Sequence, residues 1–107
     1  MAVVQLSEDD HDRSIRVRRG DTMAIALAES PTTGFVWETA LVRGCVVAAG
    51  DAFAMSSDSG KLGAGGVHTY SFNVVSDGDG RVELKLWRPW NGEASVARRF
   101  AIDIATT

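Results

Sequence analysis

The 107-residue chain has little cysteine, little proline and no strong excess of either charge. Cys45 is the only cysteine, so no disulfide can form within the chain and the core must be stable without one. The net charge of −3 lacks the basic excess typical of nucleic-acid-binding proteins, so no nucleic acid partner is predicted. No apolar run is long enough to cross a membrane, so no membrane partner is predicted either.

What remains is the composition of an ordinary globular protein, with 45% hydrophobic and 23% charged residues. The length predicts a single domain over residues 1–107, expected to be a monomer. Its first residues lead directly into the acidic stretch Ser7-Glu8-Asp9-Asp10, and no signal peptide is visible. A cytoplasmic location is therefore expected for the chain as given, and a periplasmic or secreted one if a signal has been removed.

Apolar and polar residues alternate along most of the chain, which is typical of half-buried β-strands. We predict strands near Val3 and Ile15, from Thr22, from Phe35, over residues 45–55, from Val67, from Arg81 and over residues 94–104. Gly50 is interpreted as a bulge within one strand, and the Asp-Gly pairs of residues 77–80 as a hairpin turn. No convincing helix is present, so the pattern predicts an all-β sandwich or barrel.

Three polar stretches rich in proline or glycine lie between these predicted strands, at residues 31–34, 63–66 and 88–90. In an antiparallel sandwich the chain reverses at each connection, so alternate loops lie at the same end. Counting strands places all three stretches at one end of the domain, provided that Gly50 does not divide its strand.

These loops carry threonine hydroxyls, glycine backbone and an indole, which suit recognition rather than catalysis. No catalytic residue, metal or cofactor is predicted. Residues 77–80 resemble the start of a calcium loop, but Val82 and Arg88 occupy the positions that need glycine and glutamate. Cys45 lies in an apolar run and His68 on the apolar side of a strand, so both are expected to be structural.

Taken in order, Pro31-Thr32-Thr33-Gly34, Gly63-Ala64-Gly65-Gly66 and Arg88-Pro89-Trp90 resemble the chagasin-like family of cysteine-peptidase inhibitors, inhibitor family I42. That family carries Asn-Pro-Thr-Thr-Gly, Gly-x-Gly-Gly and Arg-Pro-Trp on three loops of an immunoglobulin-like β-sandwich. The resemblance runs from about Thr22 to the C-terminus, and Ser30 stands where the family has asparagine. It implies an all-β, immunoglobulin-like antiparallel β-sandwich of about seven to eight strands.

The resemblance also implies a reversible, non-covalent inhibitor of papain-like cysteine peptidases. In such an inhibitor the three loops block the active-site cleft, and the Pro-Thr-Thr-Gly loop lies nearest the catalytic cysteine. The peptidase-binding residues that it implies are Pro31, Thr32, Thr33, Gly34, Gly63, Ala64, Gly65, Gly66, Arg88, Pro89 and Trp90.

The residues leave two other functions open. One is a non-inhibitory carbohydrate-binding or adhesion module, in which Trp87 and Trp90 would stack on sugar rings. Sugar platforms need several coplanar aromatic rings, however, and only Trp90 lies clearly on a loop. The other is an enzyme built around Cys45, for which no local cysteine signature is present.

Overall fold

The computed structural model describes residues 2–55 and 65–107, and these form eight β-strands. The strands are β1 (Val3–Ser7), β2 (Arg13–Val17), β3 (Thr22–Glu29), β4 (Val36–Gly44), β5 (Val46–Met55), β6 (Gly66–Val74), β7 (Asp79–Trp87) and β8 (Arg98–Thr106). Short 3-10 turns occur at Glu8–Asp10, Pro31–Thr33, Pro89–Asn91 and Glu93–Ser95, and the described ranges contain no α-helix. Over these same ranges, no helix is long and apolar enough to span a membrane.

The strands pair into two four-stranded sheets that face each other. Sheet 1 has the order β1-β3-β6-β5 and sheet 2 the order β2-β8-β7-β4. The edge strands β1 and β2 pair in parallel with β3 and β8, and the remaining pairings are antiparallel. The predicted all-β sandwich of seven to eight strands is thus confirmed, with two parallel edge pairings that the alternation alone does not reveal.

The core lies between the sheets and is built from the alternating apolar positions of the central strands. Its largest fully buried side chains come from both sheets, as two facing layers of a sandwich require. They are Phe72, Phe100, Met23, Ile25, Leu27, Leu84, Ile102, Val74 and Val82, with Cys45 beside them.

Gly50 acts as predicted, because the register of β5 against β6 shifts between Ala48 and Gly50 without ending the strand. The predicted hairpin at residues 77–80 is wrong, since β6 belongs to sheet 1 and β7 to sheet 2. Asp79 already lies in β7, and its carbonyl oxygen accepts the Cys45 backbone N–H at 3.0 Å. This connection therefore crosses between the sheets.

The last strand was predicted over residues 94–104 but begins at Arg98, so Val96 lies outside it. The preceding residues, Glu93–Ser95, form a 3-10 turn instead. β4 likewise begins at Val36 rather than Phe35, and it continues to Gly44.

Candidate functional site

The loops that carry the predicted binding residues meet at one end of the sandwich. The β3–β4 loop (residues 30–35) and the β7–β8 loop (residues 88–97) are joined by Arg88, whose Nη2 and Nε donate to the Thr33 carbonyl oxygen at 3.0 and 3.3 Å. The Arg88 guanidinium also lies over the Phe35 ring, 4.4 Å from its centroid. The two loops therefore form one braced edge.

The β3–β4 loop is held in a tight turn by its own polar groups. The Ser30 carbonyl oxygen accepts the Thr33 backbone N–H at 3.1 Å and the Thr33 hydroxyl at 2.7 Å. Gly34 follows with a φ of +81°, a conformation that most residues avoid. Thr32 and Thr33 remain exposed at the tip, so the turn presents a stiff polar surface.

Trp90 is the largest exposed side chain on this edge, with 70% of its surface accessible. Its indole lies over Gly34, where a Cβ would be 3.1 Å from the Cζ2 and Cη2 atoms of the ring. Because Gly34 has no side chain, the indole can pack directly against its backbone. Trp87 is only half-buried on the outer face of sheet 2, beneath the Lys85 ammonium at 3.6 Å, and it does not extend the exposed aromatic surface.

The β7–β8 loop is fixed by a residue that the sequence did not single out. The Ser95 hydroxyl oxygen accepts the Arg88 backbone N–H at 2.9 Å and lies 2.7 Å from the Gly92 carbonyl oxygen. Gly92 has a φ of +71°, which lets the chain turn between two successive 3-10 segments. These contacts hold Pro89 and Trp90 outward, and Ser95 lies outside the Arg88-Pro89-Trp90 motif, which therefore does not identify it.

The third predicted loop lies mostly outside the described residues, including Gly63 and Ala64. Its described end is packed at the same edge. A Cβ on Gly65 would lie 2.7 Å from the Glu29 carbonyl oxygen, and one on Gly66 would collide with the Ala54 carbonyl oxygen. Gly66 begins β6 and is buried, so Gly65 allows close packing against the start of the β3–β4 loop and Gly66 allows close packing against β5.

An open groove of roughly 680 Å³ runs beneath these loops, between the two sheets. Phe35, Leu86 and Val67 contribute apolar surface to its lining, and Arg88 and Arg98 contribute cations. The edge above it therefore combines hydroxyls, cations and an indole on a partly apolar base.

No catalytic constellation accompanies this surface in the part of the chain that the structure describes. Cys45 is 1% exposed, and burial raises the pKa of its thiol, so little nucleophilic thiolate is available. Over residues 2–55 and 65–107, no group of three acidic, histidine or cysteine side chains is placed to hold a metal ion. The surface is thus suited to binding.

Comparison with known proteins identifies the kind of binding protein. The profile of the "Chagasin family peptidase inhibitor I42" matches residues 16–104. The chain belongs to this family. The predicted resemblance is confirmed, and the family is one of peptidase inhibitors rather than of enzymes. The alternative of a carbohydrate-binding or adhesion module is set aside.

Individual relatives agree with this membership. Chagasin of Trypanosoma cruzi is 30% identical over 95 residues, covering 83% of this chain and 84% of chagasin. Amoebiasin-1 of Entamoeba histolytica is 27% identical over 101 residues, covering 94% of this chain and 97% of the relative. The crystal structure of the cysteine protease inhibitor EhICP2 from Entamoeba histolytica superposes with a TM-score of 0.89 at 19% identity, covering 100% of this chain and 97% of EhICP2. The immunoglobulin-like sandwich predicted from the motifs is therefore confirmed.

Proposed function

We propose that this chagasin-family protein is a reversible, non-covalent inhibitor of papain-like cysteine peptidases. The observation that carries the proposal is the braced edge, where Arg88 and Trp90 tie the β7–β8 loop to Thr33 and Gly34 of the β3–β4 loop. EhICP2, a protein of the same fold, is a cysteine protease inhibitor, which supports the choice of target class.

In this proposal the β3–β4 loop enters the active-site cleft, and the other two loops contact the cleft walls. Pro31, Thr32, Thr33 and Gly34 lie nearest the catalytic cysteine of the peptidase. The flanking contacts come from Gly63, Ala64, Gly65 and Gly66 on one side and from Arg88, Pro89 and Trp90 on the other. The exposed indole supplies the largest apolar contact, as tryptophan commonly does at interface centres.

Rigidity is the physical reason why such a loop can inhibit without being cleaved. The hydrogen bonds from Thr33 to the Ser30 carbonyl oxygen hold residues 31–33 in a 3-10 turn rather than an extended strand. A peptide bond in this turn cannot lie extended along a cleft, where a scissile bond would be attacked. The braced conformation also reduces the entropy lost on binding.

Titration of papain with the purified protein, followed with a small fluorogenic substrate, tests the proposal. We expect stoichiometric inhibition that is reversed on dilution, no inhibition of trypsin-like serine peptidases, and no mass change in the recovered protein. Full papain activity at micromolar protein would refute the proposed function. A covalent adduct would refute the mechanism while leaving the target class intact.

A further inference from the structure

A buried carboxylate lies directly below the β3–β4 loop. Glu29 is the last residue of β3 and is 7% exposed. Among the described residues it shares this degree of burial with only one other charged side chain, Asp21, just before the opposite end of the same strand. A carboxylate removed from water is costly unless it is paired, so the partners of Glu29 show what it stabilises.

Glu29 connects the two sheets where the loop leaves them. Its Oε1 accepts the Trp37 backbone N–H at 2.7 Å. Because Trp37 lies on β4 of sheet 2 and Glu29 on β3 of sheet 1, no strand pairing joins the two stems of the loop. The Glu29–Trp37 hydrogen bond takes the place of that pairing, and it satisfies an N–H on the edge strand β4.

Two polar side chains, His68 and Asp51, lie behind this carboxylate. His68 Nδ1 lies 3.1 and 3.2 Å from the two Glu29 carboxylate oxygens, and its Nε2 lies 2.6 Å from Asp51 Oδ2. The His68 side chain is 13% exposed and the Asp51 side chain 53%. The Glu29 carboxylate is therefore held in place by His68 of β6, and His68 is held in turn by Asp51 of the edge strand β5.

Trp37 is fixed by further contacts from sheet 1. Its indole Nε1 donates to the Ala28 carbonyl oxygen at 2.8 Å, and its carbonyl oxygen accepts the Tyr70 hydroxyl at 2.7 Å. Burial, and then the nearby Asp51 and Glu29 carboxylates, raise the pKa of Tyr70, so its hydroxyl remains a donor. The Tyr70 ring also stacks on His68 at 4.4 Å.

We propose that Glu29, supported by His68 and Asp51, is a positioning residue that fixes the pose of the β3–β4 loop and thereby sets the affinity for the peptidase. This inference rests on the proposed function. The peptidase need not touch Glu29, because the residue acts through Trp37 and the loop stems. If only a fraction of molecules holds the competent pose, the apparent affinity falls by that fraction.

The chain offers a matched control for removing this charge. Asp21 has the same exposure as Glu29 and accepts two backbone N–H groups, from Arg18 at 2.9 Å and Ala2 at 3.1 Å. It lies at the opposite end of β3 from the loop. Glu29→Gln and Asp21→Asn each remove one buried charge at nearly constant volume, but only the first changes a group below the loop.

The test compares both variants with wild type in three measurements: the papain inhibition constant, the melting temperature, and amide hydrogen exchange of the free protein at Phe35 and Trp37. Both variants should melt at lower temperature. Glu29→Gln alone should raise the inhibition constant by about tenfold, because hydrogen bonds to a charged group are stronger than neutral ones. It alone should also accelerate exchange at Trp37.

Equal inhibition constants for the two variants, with unchanged exchange at Trp37, would overturn the positioning role. If Glu29→Gln does not fold, Asp51→Asn provides the test, since it alters a half-exposed side chain. It should weaken inhibition several-fold, and an unchanged inhibition constant would overturn the proposal. If wild type fails to inhibit papain, the proposed function fails; accelerated exchange at Trp37 in Glu29→Gln would then still support the role of Glu29 in fixing the loop pose, and unchanged exchange would overturn that role.

Discussion

Replacing Trp90 with alanine should separate binding from folding. With 70% of its surface exposed, the side chain leaves about 175 Å² available to a partner, if a tryptophan offers roughly 250 Å². At about 25 cal/mol per Å², complete burial in the complex would contribute no more than ~4 kcal/mol. A loss of about 2 kcal/mol or more is expected, which is roughly a thirtyfold increase in the inhibition constant.

The effect of Trp90→Ala on folding should be smaller. The covered part of the indole rests over Gly34, and its loss should lower the free energy of unfolding by about 1 kcal/mol, since area-based values are upper bounds. For a domain of this length, that corresponds to a fall in melting temperature of roughly 4–8 °C. The inhibition constant and melting temperature should be measured on the same sample.

Val47→Ala provides the control for Trp90→Ala. Val47 is 45% exposed and lies on β5, in the half of the strand remote from the loops. The control should leave the inhibition constant unchanged. The reasoning would be refuted if Trp90→Ala left inhibition intact, or if it lowered the free energy of unfolding by about 3 kcal/mol, as truncation of a core tryptophan does.

Further predictions concern backbone strain, acid stability and the thiol. Gly34→Ala should weaken inhibition at least about tenfold, because φ is +81° and the new Cβ would press on Trp90; unchanged inhibition would contradict this. The Arg18 backbone N–H holds the pKa of Asp21 below its usual range, so Asp21 stabilises the fold above the unfolded pKa and this contribution disappears as pH falls through the folded pKa. Asp21→Asn should therefore flatten the fall of melting temperature below about pH 4, and an unchanged acid slope would contradict that role. Cys45 should react with a thiol reagent only after unfolding, and Cys45→Ala should cost about 1 kcal/mol of stability without affecting inhibition; rapid labelling of the folded protein would contradict its burial.

Much of the fold could be predicted because its signals are local. The alternation of Tyr70, Phe72 and Val74 and of Val82 and Leu84 marks the buried faces of β6 and β7 without any knowledge of their partners. Local sequence does not, however, determine which of the two sheets a strand joins. The Asp-Gly pairs of residues 77–80 have the composition of a hairpin turn, yet they connect two sheets, because the pairing of β7 with β4 and β8 decides where the chain goes.

The same distinction holds for the candidate site: its local motifs could be predicted, and the contacts that brace its loops could not. Three short motifs identify the loops and their residue types, and strand counting correctly places the β3–β4 and β7–β8 loops at one end. The braces could not be predicted, because the Glu29 contact depends on how the two sheets pack and the Ser95 contacts depend on the conformation of the β7–β8 loop. In the sequence alone, Glu29 is simply a polar residue before a loop, and His68 is a histidine on an apolar face. The pairing of β3 with β6 brings these two side chains together, and the packing of the two sheets places Glu29 against Trp37.

The most direct test of the central claim is amide hydrogen exchange of the protein with and without papain. The account predicts protection at residues 30–35 and 88–92 in the complex, because these form the braced edge that enters the cleft. The connection at residues 75–78 lies at the opposite end of the sandwich and should exchange as in the free protein. Protection confined to residues 75–78, or to the outer face of either sheet, would contradict the account.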